Sequence, residues 1–367
     1  MIPIARPQLG EEERRAVWEV METGLLAQGA RVAELESRFA ELVGVPHAVA
    51  VSSGTAALHL TLLGLGIGAG DEVITVPFTF IASANSILYT GARPVFVDVT
   101  EADFCIDVER VAAAITPQTR AIMPVSLYGQ PADMPALAAL ADTRGLALVE
   151  DAAQCHGAAI DGRMSGSWGA GCFSFYPTKN MTSAEGGMLT TADAGLAERV
   201  RLLREHGMTV RYRHDTLGYN FRMTDIHAAI GLAQLAKLPA FNARRRGIAA
   251  RYGAELRGVV VPRARDGVTH VYHQYTLRVA QRDEFATRLA ERGVGTGVYY
   301  PIPVHRQKPF QALSYGDERF PVSERLADEV LSIPVYPGLS DAEVATVIDA
   351  VNEVAAALGP LPAEVSA

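Results

Sequence analysis

Lys179 stands in the short polar turn Pro177-Thr178-Lys179-Asn180. The aromatic run Phe173–Tyr176 precedes it, and Glu185-Gly186-Gly187 leads from it into the strand-like Met188-Leu189-Thr190-Thr191. An amine withdrawn from water has a lowered pKa and can condense with an aldehyde as a Schiff base. Taken alone, a lysine is far more often a solvated surface cation. A second signal is Glu150-Asp151-Ala152-Ala153-Gln154, directly after the apolar run Leu146–Val149. A carboxylate at that depth needs a partner, because an unpaired buried charge is costly. A protonated heterocyclic nitrogen would serve, and a helix cap is an equally open reading of Asp151. The third signal is Ser52-Ser53-Gly54-Thr55, between the apolar His47–Val51 and a helical pattern over 56–65. Strand, small-residue turn and helix together aim backbone N–H groups and the helix dipole at an anion. Ser53 and Thr55 could add hydroxyl donors to a phosphate, although an ordinary Ser/Thr helix cap has the same appearance. There is no GxGxxG or Walker lysine, which argues against a dinucleotide or nucleoside triphosphate site. A Schiff-base lysine paired with a carboxylate on a pyridinium nitrogen is how pyridoxal phosphate (PLP) is held and tuned. Here Lys179 would meet the aldehyde carbon and Asp151 the ring nitrogen.

These residues require a scaffold that brings three distant turns to one place. Strand patterns at 71–76, 94–99, 119–125 and 146–149 alternate with helical patterns at 81–88 and 134–144. That alternation, with near-continuous apolar strands, indicates an α/β fold with a mostly parallel sheet covered on both faces. Ligands in such sheets lie outside the carboxyl ends of the strands, where 52–55, 78–80 and 150–154 all fall. Ahead of the sheet, residues 11–22 read as a charged helix with Val17, Trp18 and Met21 on one side. A second amphipathic helix runs to Val43 and stops at Gly44. After the lysine turn, 193–206 reads as a helix whose Arg199, Arg201 and Arg204 face water. Residues 207–215 read as a mobile polar loop, and 224–238 as a helix ended by Pro239. A long helix over 241–256 then joins a large domain, 1–240, to a smaller C-terminal α+β domain, 241–367. The latter has strands near 259–261 and 275–279, a helix over 283–293 closed by Gly293, and a weak strand at 294–298.

Composition narrows the class. The chain has 367 residues and a net charge of −8, with 49% hydrophobic residues. It can bury a large core, and nothing in the charge suggests a nucleic-acid surface. Arg244-Arg245-Arg246 is short and reads as a solvated helix face. No signal-peptide pattern or membrane-length apolar run is present. Three scattered cysteines, Cys105, Cys155 and Cys172, suggest reduced thiols in a cytoplasmic protein. His270, His273 and His305 lack the spacing of a zinc helix, so no metal site is expected.

The ordered segments SSGTAALHL (52–60), GDEVITVPFTFIASANSIL (70–88), PVFVDV (94–99), PVSLYGQPADM (124–134), EDAAQCHGA (150–158), GCFSFYPTKNMTSAEGG (171–187), GYNFRMTDIHAAIG (218–231) and YPIPVHRQ (300–307) resemble the DegT/DnrJ/EryC1/StrS family of sugar aminotransferases. The resemblance covers 24–337. It implies a type I, aspartate aminotransferase-like PLP fold, forming a homodimer with active sites at the subunit interface. By position, Lys179 matches the Schiff-base lysine, Asp151 the acid on the pyridine nitrogen and Gln154 the side chain near the ring hydroxyl. Gly54, Thr55 and Ser174, with Ser53 beside them, match the phosphate-binding positions. Phe80 matches the aromatic that stacks on the cofactor ring. Asn220 matches an asparagine that reaches the phosphate from the neighbouring subunit. Tyr300 and His305 fall in the segment lining the substrate pocket.

The family often reads His-Tyr-Pro where this chain reads Tyr299-Tyr300-Pro301, which alters that substrate contact and not the cofactor chemistry. Relatives that replace the lysine with histidine are dehydratases, so Lys179 favours transamination. The resemblance implies amino transfer from an amino acid, L-glutamate foremost, to a 3- or 4-keto hexose on a nucleotide carrier. Arg211, Arg213 and Arg222 are candidates for meeting that anionic carrier. A keto cyclitol acceptor, a PLP-dependent dehydratase and a regulatory homologue are the alternatives.

Overall fold

The computed structural model describes residues 1–361; the end of the C-terminal domain expected over 241–367 therefore lies outside the described residues. Two helices lead the chain, α1 (Glu11–Thr23) and α2 (Ala30–Val43). Of the apolar side chains of α1, Val20 is buried and Val17 partly so. Trp18 and Met21 are 59% and 51% exposed, while Glu13 is buried. Glu13 is buried because Lys237, Gln234 and the Gly10 N–H all bond its carboxylate, and these partners are distant in sequence or belong to the main chain. The α2 helix buries Val32, Leu35, Phe39 and Val43 and stops at Gly44, whose φ of 77° suits glycine. Its N-terminus is capped from afar, since Asp225 accepts from the N–H groups of Gly29, Arg31 and Val32.

A central sheet follows, built from β1 (His47–Val51), β2 (Glu72–Thr75), β3 (Arg93–Phe96), β4 (Thr119–Ile122) and β5 (Ala147–Asp151). The short β6 (Ala159–Ile160) and β7 (Arg163–Met164) stand apart from it, and β8 (Ala170–Ser174) and β9 (Gly187–Thr191) complete it. Its order is β1-β9-β8-β5-β4-β2-β3, and only β9 runs against the rest. The sheet is therefore mixed and mostly parallel, the arrangement of the type I PLP fold. Helices α3 (Gly54–Gly64), α4 (Ala82–Tyr89), α5 (Val108–Ala114), α6 (Met134–Arg144) and α7 (Ala194–Arg204) connect its strands and cover it. Core side chains pack on both sides of the strands, Ile74, Ile122 and Leu148 in one cluster and Val73, Ala121 and Val149 in another. The alternation follows from the two-residue period of a strand.

Several expectations fail beyond the lysine turn. Arg204 does not face water; it is 5% exposed and donates to Glu36 and to the Ala50 carbonyl. Residues 207–215 form a hairpin, β10 (Met208–Val210) against β11 (Arg213–His214), rather than a loop without strands. Its residues are mostly exposed, so no alternating pattern announced it. The helix expected to end at Pro239 continues as one element, α8 (Asp225–Glu255). An interior proline costs about 3 kcal/mol, and tertiary contacts on both sides offset it. Gln234 bonds the Gln8 carbonyl and Glu13, Leu238 is buried, and Asn242 and Arg245 anchor the next two turns. Arg245 is no solvated residue either; it lies inside, donating to the carbonyls of Tyr272, His273 and Val335. The boundary expected at 240/241 falls within this helix.

From the last turns of α8 onward, a separate cluster of buried apolar residues spans 248–355, including Tyr252, Tyr275, Phe285 and Val351, with Ile2 packed against it. β13 (Tyr275–Arg278), α9 (Arg282–Glu291), β14 (Val330–Ile333) and α12 (Asp341–Leu358) contribute to it, whereas β12 (Val268–Thr269) pairs with β6, α10 (Lys308–Gln311) packs through Phe310 beside Phe96, and α11 (Pro321–Glu329) packs through Leu326 into the cluster of Ile74 and Ile122. The strand expected at 259–261 is one bridge, Val260 to Arg278, and that expected at 294–298 is two isolated bridges. β14, α11 and α12 had no counterpart in the sequence reading.

Candidate active site

The carboxyl ends of β1, β5 and β8 open into one cleft of about 370 Å³. Strand β9 explains how three remote turns converge there. Its first residue, Gly187, pairs with Val51 on one side and Ser174 on the other. A Cβ on Gly187 would lie 2.2 Å from the Ser53 carbonyl oxygen, and one on Gly54 would lie 2.7 Å from the Ser174 Cβ. Both positions must be glycine for the turn before α3 to rest against the end of β8. The α3 N-terminus then presents the Gly54 and Thr55 N–H groups, which have no acceptor within the helix. Ser53 caps α3 by accepting from the Ala56 N–H at 3.1 Å. The cap uses a lone pair, so the hydroxyl proton of Ser53 remains available for an anion. The helix-cap reading and the phosphate reading of Ser53 thus describe compatible bonds.

Asp151 ends β5 and is 6% exposed. Ser83 donates to its Oδ2 at 2.7 Å and the Ala153 N–H to its Oδ1 at 3.2 Å. Burial pushes the carboxyl above its usual range, while these two donors and the Lys179 charge pull it back. Lys179 lies across the cleft on the turn after β8, its own N–H bonded to the Tyr176 carbonyl at 2.9 Å. Burial lowers its amine to about 8, with Asp151 opposing that shift. Next to it, Asn180 donates to Asn242 of α8 at 2.8 Å and to the Val271 carbonyl at 3.0 Å. The turn that carries the amine is thereby fixed to the longest helix of the fold.

Gln154 has a determined orientation. The Tyr128 N–H can only donate, and it meets Oε1 of Gln154 at 2.7 Å. The amide nitrogen must then face the cleft, where it donates to the Tyr300 hydroxyl at 3.2 Å. Tyr300 also tilts over Phe80, with ring centroids 6.0 Å apart, and Phe80 is 56% exposed toward the opening. Burial first, and then the Asp151 charge, push the Tyr300 phenol upward.

Ser53, Gly54, Thr55, Phe80, Asp151, Gln154, Ser174, Lys179 and Tyr300 all line this cleft. His305, Asn220 and the carrier candidates Arg211, Arg213 and Arg222 do not. His305 is fully buried in the turn 304–306, bonded to Glu324 at 3.0 Å and packed edge-on against Phe320. Asn220 is exposed and bridges Glu205, away from the cleft of its own chain. Further residues line the cleft to which the sequence assigned no binding role, among them Thr79, Glu185, His273, Gln274 and Tyr299. Tyr299 was marked in the sequence only as the replacement for the histidine of the His-Tyr-Pro pattern. His273 and Gln274 arrive from beyond α8 and carried no local signal. Among the described residues no cluster of three or more His, Cys, Asp or Glu could hold a metal ion.

The lining suits PLP. A carboxylate and an amine face each other across the cleft, an amide donor points inward, and at a helix N-terminus Gly54 leaves no Cβ where the turn meets Ser174. Comparison with known proteins agrees. The model of the DegT/DnrJ/EryC1/StrS aminotransferase family matches residues 7–352. UDP-N-acetyl-3-dehydro-alpha-D-glucosamine 3-aminotransferase of Acidithiobacillus ferrooxidans is 44% identical over 343 residues, covering 92% of each chain. The dTDP-3-amino-3,4,6-trideoxy-alpha-D-glucose transaminase of Streptomyces venezuelae is 42% identical, covering 95% of this chain and 93% of its own. The PLP form of Spr1654 from Streptococcus pneumoniae, a candidate sugar aminotransferase, superposes with a TM-score of 0.93 at 30% identity, covering 97% of this chain and 99% of that one.

Proposed function

The chain belongs to the DegT/DnrJ/EryC1/StrS aminotransferase family, and from that membership we propose that it transfers the amino group of L-glutamate to C3 of a nucleotide-linked 3-keto hexose. It is a PLP-dependent aminotransferase of amino-sugar biosynthesis. The observation that carries the finer reading is that both curated relatives described above are named for a 3-amino or 3-keto sugar, one on UDP and one on dTDP. Tyr299, Tyr300 and Gln274 form the wall at which the hexose would be sorted.

When bound, PLP supplies an aldehyde for the amine and a ring that accepts an electron pair. The residues supply the rest. Gly54, Thr55, Ser53 and Ser174 would hold the phosphate, Phe80 would cover the ring face, and Gln154 Nε2 would donate to the ring hydroxyl. Asp151 would accept from the ring nitrogen and so keep it protonated. With PLP bound, Lys179 Nζ, as a free amine, would accept the proton from the donor's α carbon and would deliver it to the cofactor's former aldehyde carbon, two bonds away across the shared nitrogen. A lysine near pKa 8 suits that task, because both protonation states are populated close to neutral pH. Positioned proton transfer of this kind contributes roughly 10²–10⁴-fold.

The cleft of one chain contains a single cationic side chain, Lys179, although it must receive an anionic cofactor, a dicarboxylic donor and a nucleotide carrier. Further positive charge has to come from outside that lining. We therefore place the active site in a homodimer, with Asn220 and the exposed Arg211 and Arg213 of the β10–β11 hairpin reaching the neighbouring cleft. Three buried free cysteines fit a cytoplasmic protein, and no helix among the described residues is long and apolar enough to cross a membrane.

Incubation of the purified protein with PLP, L-glutamate and a panel of UDP- and dTDP-linked 3-keto and 4-keto hexoses tests the reading. A 3-amino sugar with stoichiometric 2-oxoglutarate is the expected product. Amination of a keto cyclitol alone, or loss of water without an amino product, would replace it.

A further inference from the structure

We propose that Ser83 is a positioning residue for amino transfer, the end of a buried hydroxyl relay that fixes the proton state and direction of Asp151. The proposal rests on PLP occupying the cleft. Ser83 lies in the first turn of α4 and is fully buried, and Thr79 is 2% exposed. Ser83 Oγ is 2.7 Å from Asp151 Oδ2, 2.9 Å from Thr79 Oγ1 and 3.2 Å from the Phe80 carbonyl oxygen.

Proton counting gives the relay its direction. Ser83 has one hydroxyl proton. An ionised Asp151 can only accept, and a charged acceptor at the shortest of the three distances takes that proton. Thr79 must then donate to Ser83. The chain Thr79 to Ser83 to Asp151 feeds donors to one side of the carboxylate and occupies Oδ2. The other oxygen carries only the long bond from the Ala153 N–H, so it retains accepting capacity toward the cleft. No cation pairs with Asp151 among the described salt bridges. The Ser83 hydroxyl, with the Ala153 N–H and the Lys179 charge, favours the ionised form of this buried carboxylate, and an ionised carboxylate is what a protonated ring nitrogen requires.

Removing the Ser83 hydroxyl should therefore weaken only those ligands whose ring offers that nitrogen. The experiment measures dissociation constants by fluorescence titration for PLP and for 1-deazapyridoxal phosphate, which has carbon at the ring-nitrogen position. Ser83→Ala is expected to weaken PLP about tenfold, the size of a hydrogen bond to a charged group, and to leave the deaza analogue within about twofold. Ser83→Thr restores PLP binding. Ser83→Cys keeps the volume but donates poorly, and follows Ser83→Ala, which covers the case in which the alanine variant folds badly. Equal weakening of both ligands would assign Ser83 a packing role and overturn the proposal, as would unchanged PLP binding. A wild-type protein that fails to bind PLP would overturn the cofactor reading itself, and the proposal with it.

Discussion

Asn180 Nδ2 donates to Asn242 Oδ1 at 2.8 Å, joining the residue beside the reactive lysine to the middle of α8. Asn242 Nδ2 in turn donates to the His156 carbonyl at 2.8 Å, on the segment that follows Asp151 and Gln154. One buried side chain thus ties the amine-bearing turn to the segment bearing the carboxylate. Asn242→Ala leaves a buried donor on Asn180 and an acceptor on His156 less satisfied. The expected cost is about 2–3 kcal/mol, read as a lower melting temperature, together with slower covalent capture of PLP at saturating cofactor. Full capture rates in a destabilised variant would show that α8 supports the fold and not the lysine turn.

Burial sets the Lys179 amine near 8 rather than 10.5. In cofactor-free protein, capture of a small aldehyde by borohydride at Lys179 should rise with pH around a midpoint of about 8. Lys237 is held above its ordinary value by Glu13 and Glu12 and should respond only at much higher pH. Identical profiles for the two lysines would remove the desolvation argument.

The same lowering has a consequence for stability. Between the folded value of about 8 and the unfolded 10.5, the unfolded chain binds more protons at Lys179 than the folded one. The penalty of burying the amine is therefore complete below pH 8 and fades as pH rises toward 10.5. Lys179→Met should make the cofactor-free protein more stable at pH 7, by up to about 3 kcal/mol. That advantage should shrink in alkaline buffer, as thermal melts across pH would record.

Gly54 allows α3 to approach β8. Gly54→Ala brings a Cβ to 2.7 Å from the Ser174 Cβ and pushes apart two sides of the anion cradle. PLP affinity should fall by at least tenfold, while pyridoxal, which lacks the phosphate, loses little. An equal loss for both ligands would place the damage in the fold rather than in the cradle.

Much of the site was legible because its signals are local. A lysine in a turn, an acid after an apolar strand and small residues before a helix each show within ten residues. The long-range burials were not legible. Arg204 and Arg245 look like solvated helix arginines because most of their acceptors are main-chain carbonyls on distant elements, which no residue type announces. Pro239 looks like a helix end because the contacts that carry α8 through it come from the N-terminal arm and the lysine turn. His305 lies in a matching segment, yet Glu324, nineteen residues later, holds it in a packed interior.

The most direct measurement is reduction of the PLP-loaded protein with borohydride, followed by peptide mapping. The chain has three lysines, Lys179, Lys237 and Lys308, so the assignment is unambiguous. A yellow protein that bleaches on reduction, with the pyridoxyl group on the Lys179 peptide alone, is the expected result. A label confined to Lys237 or Lys308, or no label on any peptide, would contradict a covalent anchor at Lys179 and the amino-transfer chemistry that depends on it.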